Sequence, residues 1–289
     1  VKNSKKGNSK SAQDFYFLDA QLEQDQLFLN QKSLLTLRFY NRVEFAEANL
    51  VVPESKYFWL EQKGKQMNSR EIINGQAFKV TTIKYYFTPL REGQISIDGF
   101  GINGLAILPE KGGGRRARSR RGFGLDSFFE DSFFRSRGQR RRVNISAPPL
   151  QVNVSSLPGE SNQEVFDGVV GQFRVKEFDF NKKITSNDSI TYSFIVSGDG
   201  NLNLLDFDHK GDDFKVFKDK DENVVIPGGD LQEARKISFL LIPKITGDAV
   251  IPTFSAKYFD PHDKLYKELV VGGEKVSVTG NVTNIGKNN

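Results

Sequence analysis

Arginine is the residue whose placement in this sequence points most directly to chemistry. Arg115, Arg116, Arg118, Arg120 and Arg121 precede the stretch DSFFEDSFF, and Arg135, Arg137, Arg140, Arg141 and Arg142 follow it. A guanidinium is planar and permanently charged, and it presents a fork of donors that matches carboxylates and phosphates bidentately. Between the two runs, Phe128, Phe129, Phe133 and Phe134 cost free energy in water at roughly 25 cal/mol per Å2 of exposed apolar surface. These rings must pack back on their own domain, enter a partner, or dip into a membrane interface. The pattern reads as a contact device in which arginines steer and rings anchor. RGG-like segments bind RNA by related chemistry, but nothing else in the chain resembles a nucleic-acid module, and no nucleic-acid partner is expected.

The rest of the chain is poor in reactive groups. With no cysteine there are no disulfides, thiol nucleophiles or thiolate metal sites, and the two histidines, His209 and His262, lie far apart in sequence. Asp219, Asp221, Asn223 and Asp230 occupy positions of a calcium-loop pattern. The place that requires glycine is Val224, however, and Pro227 falls inside, so a solvated turn is the expectation. A hydrolase on a β scaffold would need a paired-carboxylate cleft, which the sequence does not reveal. Trp59, in KYFWLE, reads as a core residue. We therefore expect no enzyme, with no catalytic, cofactor-binding or metal-binding residues and no cofactor.

The net charge of +5 and pI near 9.1 belong to two segments only. The stretch between Pro109 and Ile145 and the lysine-bearing start, residues 1–14, carry the excess of positive charge, and the remainder is net negative. Residues 1–14 have no apolar period and read as a tail or linker, as in a piece cut from a longer protein. From Phe15 onward, short runs alternate apolar and polar residues: Leu35, Leu37 and Phe39, then Ile83, Tyr85 and Phe87, then Val152 and Val154. Period-two alternation between turn residues predicts half-buried antiparallel strands, and no helical stripe appears.

The second half repeats the first. IKYYFTPLREGQISI, from Ile83, lies on ISFLLIPKITGDAVI, from Ile237, with Pro89 on Pro243, Gly93 on Gly247 and Ile97 on Ile251. LTLRFY, from Leu35, lies on ITYSFI, from Ile190, with Phe39 on Phe194. The two offsets, 154 and 155, nearly agree, which predicts a duplication. The expected fold is all-β: two tandem Ig-like or fibronectin-like β-sandwiches with a long Arg/Phe-rich hairpin insertion in the first, a jelly roll or closed barrel being the competitor. The predicted boundaries are a tail over 1–14, a sandwich over 15–156 with an inserted loop at 109–145, a linker over 157–168, a sandwich over 169–280, and a tail over 281–289.

FDGVVGQF (Phe166–Phe173), GDGNLNLL (Gly198–Leu205), YFDPHDKLYKEL (Tyr258–Leu269) and the acidic double-Phe stretch before PPLQVNV together resemble the BatD family of bacterial aerotolerance operons. The resemblance spans nearly the whole chain and is strongest from Leu125 to Val271. It implies β-sandwich modules of a membrane-anchored envelope protein, periplasmic or otherwise extracytoplasmic, with its anchor outside this chain. It also implies operon partners of von Willebrand A and tetratricopeptide-repeat type. The family defines no catalytic residues, so the expected role is a non-enzymatic protein–protein interaction scaffold linked to aerotolerance or stress. The alternative is binding of an anionic membrane surface or other polyanion through the arginine-rich loop.

Overall fold

A computed structural model describes residues 15–109, 138–159, 168–177, 180, 182–226 and 231–280. The first ten strands are β1 (Tyr16–Leu22), β2 (Gln26–Phe28), β3 (Ser33–Asn41), β4 (Glu44–Val51), β5 (Phe58–Ile73), β6 (Gln76–Pro89), β7 (Gly93–Ile97), β8 (Gly101–Pro109), β9 (Gly138–Ser146) and β10 (Leu150–Ser155). The next ten are β11 (Phe173–Glu177), β12 (Lys183–Thr185), β13 (Ile190–Gly198), β14 (Asp208–Lys210), β15 (Phe214–Val224), β16 (Glu233–Pro243), β17 (Gly247–Val250), β18 (Thr253–Asp260), β19 (Leu265–Val271) and β20 (Lys275–Thr279). One 3-10 turn, Leu202–Leu204, is the only helical element among the described residues. The chain is all-β, as its alternation predicts.

The duplication extends to topology. In the first half the sheets run β1-β3-β6-β5, β2-β10-β7 and β4-β8-β9; in the second they run β11-β13-β16-β15, β12-β20-β17 and β14-β18-β19. Even the unusual pairing recurs, since β2 is parallel to β10 and β12 is parallel to β20 while the other strand pairs are antiparallel. Each half closes its own apolar core. Leu35, Leu37, Phe87, Ile95 and Ile97 centre the first, and Tyr192, Phe194, Phe239, Leu241 and Phe254 the second.

The matched Pro-to-Gly segments behave alike. Pro89 and Pro243 end β6 and β16, because proline cannot donate to the next ladder rung. Gly93 and Gly247 open β7 and β17 at φ of 87° and 92°, where an added Cβ would meet nothing. The requirement there is backbone conformation, not space.

One alignment shifts. Leu35 pairs with Tyr85, while Tyr192 pairs with Phe239, the counterpart of Tyr85. The counterpart of Phe194 is therefore Leu37 and not Phe39. A two-residue slip keeps every side chain on its own face, so alternation alone could not detect it.

Candidate functional site

The arginine-rich insertion springs from the β8–β9 hairpin. Of its predicted contact residues, Arg115, Arg116, Arg118, Arg120, Arg121, Phe128, Phe129, Phe133, Phe134, Arg135 and Arg137 lie outside the described residues. Arg140, Arg141 and Arg142 do not belong to a loop. They sit in strand β9, opposite Ile107, Ala106 and Leu105 of β8, so the expected loop at 109–145 gives way to strand from Gly138. The β-branched Val143 and Ile145 draw this end of the insertion into the ladder by burying against the first core. All three arginines are exposed, and β9 is an edge strand whose only ladder partner among the described residues is β8.

At the opposite end of the first module the two halves meet. Gly171 N–H donates to Phe259 O at 3.0 Å, and Phe259 N–H to Val169 O at 2.9 Å. Gln172 N–H donates to Asp199 Oδ1 at 2.6 Å, and its side-chain amide to Asp260 Oδ1 at 3.4 Å. A Cβ on Gly200 would stand 2.4 Å from both Phe173 Cζ and Val170 O, so only glycine allows this approach. Three segments distant in sequence, around Gly171, Gly200 and Asp260, thus form one knot.

The knot is capped by the first module. Phe259 is fully buried, edge-on to Phe28 at 5.0 Å and to Tyr266 at 5.2 Å, with Leu157 and Val170 completing the cluster. Leu157, expected at the start of an exposed linker, is instead packed in this seam. Asn30 Nδ2 donates to Gly168 O at 3.4 Å, and Lys32 Nζ meets Glu233 Oε2 at 2.5 Å. Lys32 is buried to 7% exposure and lies 4.3 Å from the centre of the Tyr86 ring.

Asp260 anchors the β18–β19 turn. Its Oδ1 accepts from the backbone N–H of His262 at 2.9 Å and of Asp263 at 3.2 Å, and its Oδ2 from Lys267 Nζ at 2.6 Å. Burial alone would raise its pKa, but the Lys267 ammonium and the two N–H groups outweigh that and hold it below the usual carboxylate range. Lys267 is raised in turn by hydrogen bonds to Asp260 and Asp263. His262 Nδ1 contacts Asp263 at 2.9 Å on the surface, and His209 lies on β14 with its ring 6.1 Å from Phe254. Asp219, Asp221 and Asn223 lie along β15 instead of a turn, and Asp230 is outside the described residues. Asp221 pairs with Arg235. No cluster of three metal-binding side chains occurs among the described residues.

Trp59 overturns its expected role. It is 62% exposed, because Phe58 takes the inward position on edge strand β5 and the next residue must point outward. Its indole lines a cleft of about 390 Å3 between the modules, with Glu61, Tyr86 and Thr88 on one wall and Asn203, Asn223 and Gln232 on the other.

Residues 180–283 match the family model described as the BatD DUF11-like domain. Over this segment the chain is similar to the BatD family. The resemblance carried by GDGNLNLL and YFDPHDKLYKEL is thereby supported, since both motifs fall within the match. No curated protein matches the chain. Among solved structures, a marsupial T cell receptor is 8% identical and aligns with 89% of this chain, which spans 61% of that protein's length. A second marsupial T cell receptor is 12% identical, with 88% of this chain and 98% of that one covered. The collagen adhesin of S. aureus is 10% identical, with 90% of each chain covered. All three superpose at a TM-score of 0.20, which supports no argument about fold or ligand.

The matched motifs meet in these contacts. Gly198–Leu205 and Tyr258–Leu269 build the knot that receives Phe28, and Asn201 Oδ1 caps the 3-10 turn at its N-terminus by accepting from Asn203 N–H. Sequence reasoning identified the motifs but not their meeting place, and it missed the Trp59 cleft. The one available signal was the in–out parity of Phe58 and Trp59. No helix among the described residues is long and apolar enough to cross a membrane.

Proposed function

We propose that this chain is a non-enzymatic protein–protein interaction scaffold of an envelope protein, docking partners at the β8–β9 end of its first module. The duplication carries the reading. In the second module the equivalent hairpin end, β18–β19, is already a docking surface, with Phe259 and Tyr266 paired across the strands and closed by Phe28. At the offset of 154 that relates Gly93 to Gly247, Phe259 corresponds to Leu105, and the strand partner of each, Tyr266 and Arg142, correspond in turn. The first module thus presents the same end, with a half-buried Leu105 beside an arginine-bearing strand edge. Arginine in place of tyrosine selects a partner whose mating surface carries carboxylates. The BatD resemblance suggests von Willebrand A-type and tetratricopeptide-repeat proteins, and the acidic metal-site rim of the former suits the charge.

The test is co-purification with the operon partners, comparing the parent, a deletion of 112–137, and a variant carrying glutamate at 140, 141 and 142. Recovery of a von Willebrand A-type partner should fall at least tenfold in the charge-reversed variant; undiminished recovery dismisses the role of this end. Salt-sensitive co-sedimentation with anionic vesicles, with no partner captured, would transfer the assignment to a membrane surface.

A further inference from the structure

From the geometry of the inter-module cleft we infer a second site, distinct from the β8–β9 end, that binds a neutral oligosaccharide of linked pyranose rings. The cleft of about 390 Å3 falls in the size range of small-ligand sites and lies at a module junction, where such sites concentrate. Its lining includes the exposed indole of Trp59, a broad flat face on an edge strand, with the exposed Val225 also along the cleft. The C–H face of a pyranose ring stacks on such a surface while its hydroxyls stay at the perimeter.

The opposing wall supplies the complement. The side-chain amides of Asn203, Asn223 and Gln232 hydrogen-bond to nothing among the described residues. Each amide offers an acceptor and a donor side by side, a match for adjacent hydroxyls on a sugar. The Glu61 carboxylate, also without an ion-pair partner, adds an acceptor.

The electrostatics select against other ligand classes. Lys32, the cation in the lining, is spent on Glu233 at 2.5 Å and on the Tyr86 face at 4.3 Å. With Glu61 left over, phosphates, carboxylates and nucleic acid are disfavoured. Val224, Val225 and Ile226 add apolar surface to the wall that carries the amides, but the amides interrupt it, which disfavours a continuous acyl chain. A neutral, hydroxyl-rich ligand with one apolar face satisfies all of these conditions.

The walls are held before any ligand arrives. Arg235 Nη1 donates to Leu202 O at 2.8 Å, fixing the 3-10 turn that carries Asn203, and Leu202 itself is buried. Lys32–Glu233 ties that wall to the first module. Pre-organisation of this kind lowers the ordering cost of binding.

Trp59 is the only tryptophan, so intrinsic fluorescence reads this cleft alone. Titrating the intact chain with chitotetraose and with cellotetraose should give a saturable emission shift with at least one of them, at a dissociation constant of about 1 mM or tighter. Asn203→Ala and Gln232→Ala, which keep the reporter, should each weaken it several-fold. Trp59→Ala, followed by calorimetry, should abolish binding while leaving partner recovery at the β8–β9 end unchanged. Absence of a saturable response to both sugars overturns the inference, as does an undiminished response in the two amide variants. Circular dichroism of each variant confirms that the fold is retained.

Discussion

Replacing Phe259 with alanine should weaken the second module and its hold on the first together. The ring is fully buried in a cluster apart from the second module's main core, and Phe28 in that cluster belongs to the first module. Truncating a buried phenylalanine typically costs about 3–5 kcal/mol through lost transfer energy and an unfilled cavity. With a urea slope of about 1–3 kcal/mol per M, the midpoint should fall by about 1–5 M. Urea titration followed by two probes separates the modules. Far-UV circular dichroism follows both, whereas Trp59 emission follows the first module and the surface facing its neighbour. In the parent the two curves should coincide. In Phe259→Ala the dichroism curve should begin at lower urea, accompanied by an early red step in Trp59 emission as the cleft opens. A double-mutant cycle with Phe28→Ala should give a coupling of about 0.5–1.5 kcal/mol, the worth of an edge-on aromatic pair. A destabilisation under about 1 kcal/mol together with zero coupling would refute the packed seam.

Other perturbations probe the same architecture. Glu233→Gln leaves the buried Lys32 ammonium facing a neutral amide and the Tyr86 ring in place of a carboxylate, and should cost about 1–3 kcal/mol by urea unfolding, moderated by the partial exposure of Glu233. Gly93→Ala and Gly247→Ala should each cost about 1–2 kcal/mol, with similar values at the two matched positions, because both need positive φ and neither lacks room. Asp260, its pKa lowered in the fold, contributes stability that is present above the unfolded value of about 3.9 and lost as pH falls through the folded one. Asp260→Asn should therefore lower stability at neutral pH and flatten the acid limb of a stability profile below about pH 4; an unchanged limb would remove Asp260 from the account.

How far the fold could be read in advance depended on how local its causes are. The strands around Leu35, Tyr85 and Ile237 were legible because burying one face of a strand imposes a two-residue period on the chain itself. Pro89 with Gly93, and Pro243 with Gly247, marked their turns because each residue type restricts or frees its own φ. Together these made the tandem copy visible at low similarity. The extent of the insertion was less legible: Arg140 to Arg142 resemble a solvated charge run, and only pairing with Leu105 to Ile107 makes them a strand.

The amino-acid order alone therefore determined the class of structure, the duplication and the concentration of positive charge in two short segments, since each follows from neighbours along the chain. Tertiary structure decided the rest. It fixed the two-residue slip between Phe39 and Phe194, to which alternation is blind, and turned Trp59 outward where a second module stands opposite. It also gathered Gly171, Gly200, Asp260 and Phe28 into one seam. Such outcomes depend on which distant surfaces touch, and a contact between residues far apart in the chain leaves no periodic trace in either partner.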